Sequence, residues 1–381
     1  MYNTYFEYIP YFLIAFFSTL LLTPWIGKIG WNLNILALPP SMRKESHDKN
    51  RHLEKPPVPS IGGIAVIIPF VLLTILSGIK LDVAIWLIVS VLILHIGGVI
   101  DTVKNVTYKV QLLFHFTAIL IFILSPITVN VINIPGLNHV ISLNQHQIAF
   151  SFLSIPMTIN LWSDIFLAIW IFIVINAYKL NGGTCALIEG NAAIASIIIL
   201  LVSVRFQSNI TAVMGAIFAG NLIAFGIFNF HPWKIYGGSS AKTVYGFIIA
   251  TLAVVSGAKL AITFMVAALP IVDMVFVVLQ RIIEKKTISP KAIMLTGDTR
   301  HLHHKLLQLG FTEPQVALFE YTITLIIGLV GAYISGLGKL VFLLLLPILL
   351  FSLILYITVK VNKTFKSRNT EEDSPEKKYT Y

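Results

Sequence analysis

Apolar runs of membrane-crossing length, cut by short polar loops, set the pattern of this chain from end to end. Runs of about 18 or more residues, long enough for a helix to cross a ~30 Å hydrocarbon layer, recur throughout. They fall at roughly 9–27, 61–79, 82–100, 111–130, 160–178, 187–204, 210–228, 244–258, 260–280, 316–335 and 340–360. The eighth is short. The pattern predicts an all-α polytopic membrane protein of about 11 transmembrane helices. Residues 1–363 form a single membrane domain, and the polar, charged stretch 364–381 reads as a disordered tail. The first run is too long and too weakly flanked by basic residues for a cleaved signal peptide, so it reads as a retained helix. Between the fourth and fifth runs, residues 129–158 lack Lys and Arg and are rich in Ile, Val, Asn and Pro. That stretch predicts a small hairpin at the membrane interface. Residues 41–56 form a charged, mobile loop, and 281–315 a long basic one.

Composition agrees and adds sidedness. With 56% hydrophobic and 12% charged residues over 381 positions, and a mean hydropathy of +0.85, a soluble globular protein is excluded. If the N-terminus lies outside, the outer loops hold only Lys80, Arg205, Lys259 and Lys339. The other 23 of the 27 basic residues then fall in cytoplasmic loops and a cytoplasmic C-terminus. This is the positive-inside asymmetry of a plasma-membrane protein. The net charge of +10 therefore points to anionic membrane lipids and a phosphorylated substrate, not to nucleic acid. A lone cysteine, Cys185, rules out an intrachain disulfide and a thiolate metal cluster.

Six inner segments carry candidate chemistry. Pro57-Val58-Pro59-Ser60-Ile61-Gly62-Gly63 gives an extended entry to a closely packed helix. Asp101 sits at the mouth of the third run, either orienting a reacting group or acting as a hydrated helix-end acid. Asn176, Lys179, Asn181, Gly182 and Gly183 leave the fifth run as a polar concavity whose backbone N–H groups can face anions. Lys179 there reads equally as a snorkelling lysine. The stretch Asn229 to Lys242, with Gly237-Gly238-Ser239-Ser240, is a short turn able to approach a phosphate, or an ordinary flexible turn. Asp273 lies inside the ninth run, where a carboxylate is costly enough to suggest function; a structural partner for a neighbouring helix is the alternative. Arg300, His301, His303, His304 and Lys305 form a dense donor array suited to a diphosphate, or a solvated basic loop. They lack the i,i+4 histidine pair of a helical zinc protease.

Taken together and in this order, the segments resemble the polyprenyl-phosphate N-acetylhexosamine-1-phosphate transferase family, which is glycosyltransferase family 4-like. The resemblance spans nearly the whole chain. It is carried most specifically by Pro-Val-Pro-x-Ile-Gly-Gly and His-Leu-His-His, the latter closer to the N-acetylglucosamine-1-phosphate branch. It implies a protein that joins a UDP-N-acetylhexosamine phosphate to polyprenyl phosphate, releases UMP and starts cell-envelope glycan synthesis, with Mg2+ as the family's cofactor. The resemblance also exposes departures. The paired aspartates after the third span read Asp101-Thr102. Asn-x-x-Asn-x-x-Asp-Gly-x-Asp-Gly reads Asn176, Lys179, Gly182, Gly183, Cys185 and Ala186. Gly-Asp-x-Gly-Ser reads Gly238-Ser239-Ser240-Ala241-Lys242.

Four carboxylates are thus replaced, at Thr102, Gly182, Cys185 and Ser239, and Lys179 and Lys242 stand in the same loops. Losing one charge-stabilising partner in phosphoryl transfer can cost on the order of 10³–10⁵ in rate. The catalytic candidates are Asp101, Asp273, Lys179 and Lys242. The substrate-binding candidates are Asn176, Asn229, Arg300, His301, His303 and His304, and no metal ligand is assigned because the Mg2+ site reads as degraded. Three accounts stay open. One is a silent relative that binds lipid phosphate or UDP-sugar, as a homodimer or beside an active paralogue. The second is a transferase in which lysine ammonium groups replace the metal. The third is a lipid-linked-sugar transporter on the same scaffold.

Overall fold

The computed structural model describes residues 5–37, 57–79, 81–129, 131–137, 140–152, 155–184, 186–255, 260–287, 289 and 299–372. The 41–56 loop, Cys185, Lys259, most of 286–298 and the last nine residues lie outside them. The chain is an all-α polytopic membrane protein. Its helices are α1 (Ile9–Asn32), α2 (Gly63–Leu76), α3 (Leu81–Lys104), α4 (Tyr108–Ile123), α5 (Leu161–Asn181), α6 (Leu187–Arg205), α7 (Asn209–Asn229) and α8 (Gly238–Val255). They continue as α9 (Leu260–Val266), α10 (Ala268–Lys285), α11 (Leu302–Gln308), α12 (Glu313–Tyr333) and α13 (Gly336–Glu372). Among the described residues, eight helices are long and apolar enough to cross a membrane: α1, α3, α5, α6, α7, α8, α12 and α13. Helices α2 and α4 are apolar but shorter.

Each expected apolar run coincides with a helix, with four differences. The ninth run is broken at Ala267 into α9 and α10, so Asp273 lies early in a helix of its own. The polar ends of the third and fifth runs stay helical, which puts Asp101 and Thr102 in the last turn of α3 and Lys179 in that of α5. The glycine-serine turn closes at Gly238, whose φ of +76° favours glycine. Helix α8 starts there, so Lys242 projects from its second turn and not from a loop. At the C-terminus, α13 runs to Glu372, past the boundary expected at 364.

Helices α7 and α8 form the centre of the bundle. Gly220 lets α7 approach the backbone of α1 at Phe12 and Phe16, where any side chain would clash. Buried polar groups tie the layers. Thr19 of α1 donates to Ala65 O (3.1 Å) and Asn221 Oδ1 (3.0 Å), and Asn221 donates to Val66 O (3.3 Å). Trp170 of α5 donates to Ala250 O of α8 at 3.2 Å. A second apolar cluster, with Leu269, Phe276, Leu302, Leu306 and Ile354, packs α10, α11 and α13 together. Helix α12 starts on a capping box: Thr312 accepts from Gln315 N, and the Gln315 side chain accepts from Thr312 N.

Three short antiparallel pairs complete the fold. Strand β1 (Leu36–Ala37) pairs with β2 (Val58–Pro59) at one end of the bundle. At the other end, β3 (Val131–Asn133) pairs with β4 (Val140–Ser142), and β5 (Gln147–Phe152) with β6 (Ile155–Asn160). The single expected hairpin is therefore two.

Candidate substrate site at one end of the bundle

The candidate segments converge. The Pro-Val-Pro segment docks on the 230–238 turn through Tyr236 N to Pro59 O (2.7 Å), Gly62 N to Tyr236 O (2.9 Å) and Gly63 N to Gly237 O (2.9 Å). Side chains at Gly63 and Gly98 would strike the start of α8, so these glycines set how closely α2 and α3 approach it. Thr102 Oγ1 donates to Gly98 O (2.9 Å) and accepts from Ser239 N (3.0 Å). Two positions that carry aspartates in the family pattern thus form a neutral latch between α3 and α8.

The glycine loop after α5 is held from three sides. Asn229, fully buried, accepts from Ala186 N (2.6 Å) and donates to Ile235 O (2.9 Å). Tyr321 of α12 donates to Ala186 O, and Gly190 is the opening through which its ring reaches the loop. Tyr236 donates to Gly182 O at 3.3 Å. Asn229 was expected to bind substrate, yet both ends of its amide serve the backbone of the site. Asn176 likewise turns its Nδ2 back onto Phe172 O in its own helix (2.8 Å).

Both lysines enter this space. Lys242 Nζ donates to Gly182 O and lies 5.2 Å from the centre of the Tyr236 ring. Its stem runs where a side chain at 182 would go: a Cβ there would lie 2.7 Å from Lys242 Cε. Lys179 Nζ donates to Gln111 Oε1, and Gln111 Nε2 donates to Asp101 Oδ1 (2.7 Å) and Val106 O (3.2 Å). Gln111 is therefore the joint between Asp101 and Lys179. The three-residue connection between α3 and α4, residues 105–107, was the sequence signal that could have found it. Glu189, which with Asp101 and Asp273 is one of the nearby carboxylates the sequence offers, is buried in the first turn of α6. Its Oε1 lies 3.2 Å from the position of a Gly237 Cβ, and it interacts electrostatically with Lys242.

The histidine segment closes the other side. Asp273, buried, accepts from His301 Nδ1 (2.7 Å) and Leu302 N (2.8 Å), fixing the start of α11. Asn181 Oδ1 accepts from His303 Nδ1 at 3.2 Å. The His301 and His303 rings stack at 5.8 Å, and His304 lies 4.2 Å from His303. A Cβ on Gly183 would meet His303 Nε2 at 2.9 Å, so the histidines face the glycine loop directly. With each Nδ1–H engaged, Nε2 accepts in the neutral ring and donates in the charged one. Arg300, half-buried, pairs with Glu284 at 2.6 Å.

The donor set does not fit magnesium. That ion takes carboxylate oxygens together with phosphate and water. Thr102 and Ser239 offer only hydroxyls, Gly182 offers no side chain, and two ammonium groups stand where a dication would be repelled. Among the described residues, no three His, Cys, Asp or Glu side chains converge to hold a metal.

Comparison with known proteins matches this architecture. The model of glycosyl transferase family 4 matches residues 84–257, which hold Asp101, the Asn176–Thr184 loop and the 229–242 turn. A Bacillus subtilis protein described as a probable undecaprenyl-phosphate N-acetylglucosaminyl 1-phosphate transferase is 22% identical over 93% of both chains. The phospho-N-acetylmuramoyl-pentapeptide-transferase of Staphylococcus carnosus is 27% identical over 85% of this chain and 98% of its own. That of Oceanobacillus iheyensis is 23% identical over 84% and 96%. These matches support the polyprenyl-phosphate N-acetylhexosamine-1-phosphate transferase family as the one this chain is similar to.

Proposed function

We propose that this chain binds the phosphate-bearing end of polyprenyl phosphate or of a UDP-N-acetylhexosamine without a metal ion, and that its transfer of sugar 1-phosphate is impaired. One observation carries the reading: the Lys242 side chain fills the space beside Gly182 and directs its ammonium into the glycine loop. An ammonium can attract a phosphate but cannot hold a magnesium ion. Lys179 approaches from α5, and His303 and His304 supply further donors across Gly183. Hydrogen bonds involving a charged group contribute about 1.5–3 kcal/mol each, enough for binding from a few such contacts. In this reading the loop cluster faces the cytoplasm of a bacterial plasma membrane, and the protein binds without turnover, alone, as a homodimer or beside an active paralogue.

A metal-independent transferase is the second reading. Asp101 favours it, because it remains tied through Gln111 to Lys179, within reach of the phosphate site. UMP release separates the two. The purified protein would be given undecaprenyl phosphate and UDP-N-acetylglucosamine, with magnesium or with EDTA. No UMP in either condition, with UDP-sugar still bound, is the expected result. Release in EDTA that stops on Lys179→Ala would establish the second reading. Release only with magnesium would sink both.

A further inference from the structure

The bundle end opposite the candidate site carries no catalytic candidate but has an unusual surface. No Asp, Glu, Lys or Arg occurs from Val110 to Ser163. Both hairpins lie in that stretch. In the β3–β4 pair, Val131 faces the same side as Val140, while Ile132 and Ile141 share the other. Val131, Val140 and Ile141 are exposed, as are Leu137 in the turn and Ile148 in β5. A two-stranded ribbon is at best marginally stable in water, and this one shows apolar side chains on both faces. It needs a surrounding that covers them.

The hairpins are anchored to two spans. Gly136, at φ +75°, sits against the backbone of Gly336 and Leu337 at the start of α13, so closely that no side chain fits. Leu161 N donates to His146 O (3.0 Å), and the His146 ring lies 6.3 Å from Trp162 in the first turn of α5. Exposed apolar side chains continue from these anchors onto both spans. They run down α5 through Trp162, Ile165 and Ile169, and down α13 through Leu337, Val341 and Leu344. In a membrane-spanning helix such a face meets lipid chains. A tryptophan where the ribbon joins the span is the residue type enriched at the lipid–water boundary.

We infer that the two hairpins are a lipid-binding surface, lying in the headgroup zone and covering the ends of α5 and α13 with Val131, Leu137, Val140, Ile141 and Ile148 inserted among the upper acyl chains. Continuity with the lipid-facing helices favours lipid over a protein partner. So does the absence of charge, which leaves nothing to steer or register a polar partner. The same absence makes the insertion independent of headgroup charge.

A fluorescent label tests this on the full chain. Ile141→Cys, in a Cys185→Ser background, would carry an environment-sensitive dye in phosphatidylcholine nanodiscs. Leu344→Cys serves as the lipid-facing reference and Lys234→Cys as the water-facing one. The expected result is blue-shifted emission, quenching by lipids with a nitroxide near the top of the acyl chain at the Leu344→Cys level, and iodide quenching several-fold below Lys234→Cys. Iodide quenching equal to Lys234→Cys, with no nitroxide effect, would overturn the inference in favour of a solvated ribbon. Protection from both quenchers, with disulfide cross-linking between copies, would overturn it in favour of a subunit interface. Val131→Cys, on the other face of the ribbon, gives the same readings if Ile141→Cys fails to fold.

Discussion

The two sides of the loop cluster differ in what they have kept. Around α11, Asp273 accepts two buried hydrogen bonds, and His301 and His303 each have Nδ1 engaged. Around Gly182, the chain has Thr102, Gly182 and Ser239 where the resemblance implies carboxylates. A hydroxyl latch joins Thr102 to Ser239, and Lys242 occupies the room beside the glycine. Yet the second side has not collapsed. Its glycines still set close backbone approaches, and Asn229 and Tyr321 still hold the loop. In the proposed reading, the scaffold of a phosphate-binding site persists, with ammonium groups in loops where the resemblance implies carboxylates. That pattern fits a changed ligand chemistry better than decay, because decay would not fill the vacated volume with a well-placed ammonium.

Substitutions separate the roles of the two sides. The largest effect is expected at Asp273. Asp273→Ala leaves His301 and Leu302 N without their buried acceptor and should cost about 3–5 kcal/mol, read as a lowered thermal midpoint in detergent. An unchanged midpoint would mean that the histidine side is not held as described. Next comes the lysine pair. Lys179→Ala with Lys242→Ala should weaken phosphate-ligand binding on the order of 10²-fold, from two partly exposed charged contacts at the low end of their usual strength, while leaving the midpoint near wild type. Loss of folding with loss of binding would make the lysines structural.

Gly190→Ala drives a methyl group into the Tyr321 ring and should destabilise by about 1–3 kcal/mol through overpacking. Tyr321→Ala in the same chain should relieve part of that cost. The smallest effect is at the latch. Thr102→Val leaves Ser239 N without its acceptor and should cost about 1 kcal/mol, with binding unchanged under EDTA. A loss of binding would place Thr102 in contact with ligand.

Much of this was legible in the chain. Apolar runs and basic asymmetry pointed to the membrane class, and six short segments anticipated which loops meet. What the sequence concealed were partners far apart in number. Gln111 carries no chemistry of its own and becomes visible only when α3 and α4 turn back beside α5. Glu189 is visible in the sequence as a nearby carboxylate, but its place beside Gly237 and Lys242 emerges only from the fold. The resemblance implies substrate-binding roles for Asn229 and Asn176, but hydrogen-bonding capacity does not say whether backbone or ligand satisfies it. The break at Ala267 was hidden for another reason: an apolar run reads the same whether one helix or two passes through it.

The central claim is that an ammonium replaces the metal at Gly182. Calorimetric titration of UDP-N-acetylglucosamine into nanodisc-embedded wild type and Lys242→Ala, each with magnesium and with EDTA, tests it most directly. The account predicts equal wild-type affinity in both buffers and a clear loss in Lys242→Ala. Affinity that requires magnesium and survives Lys242→Ala would contradict it.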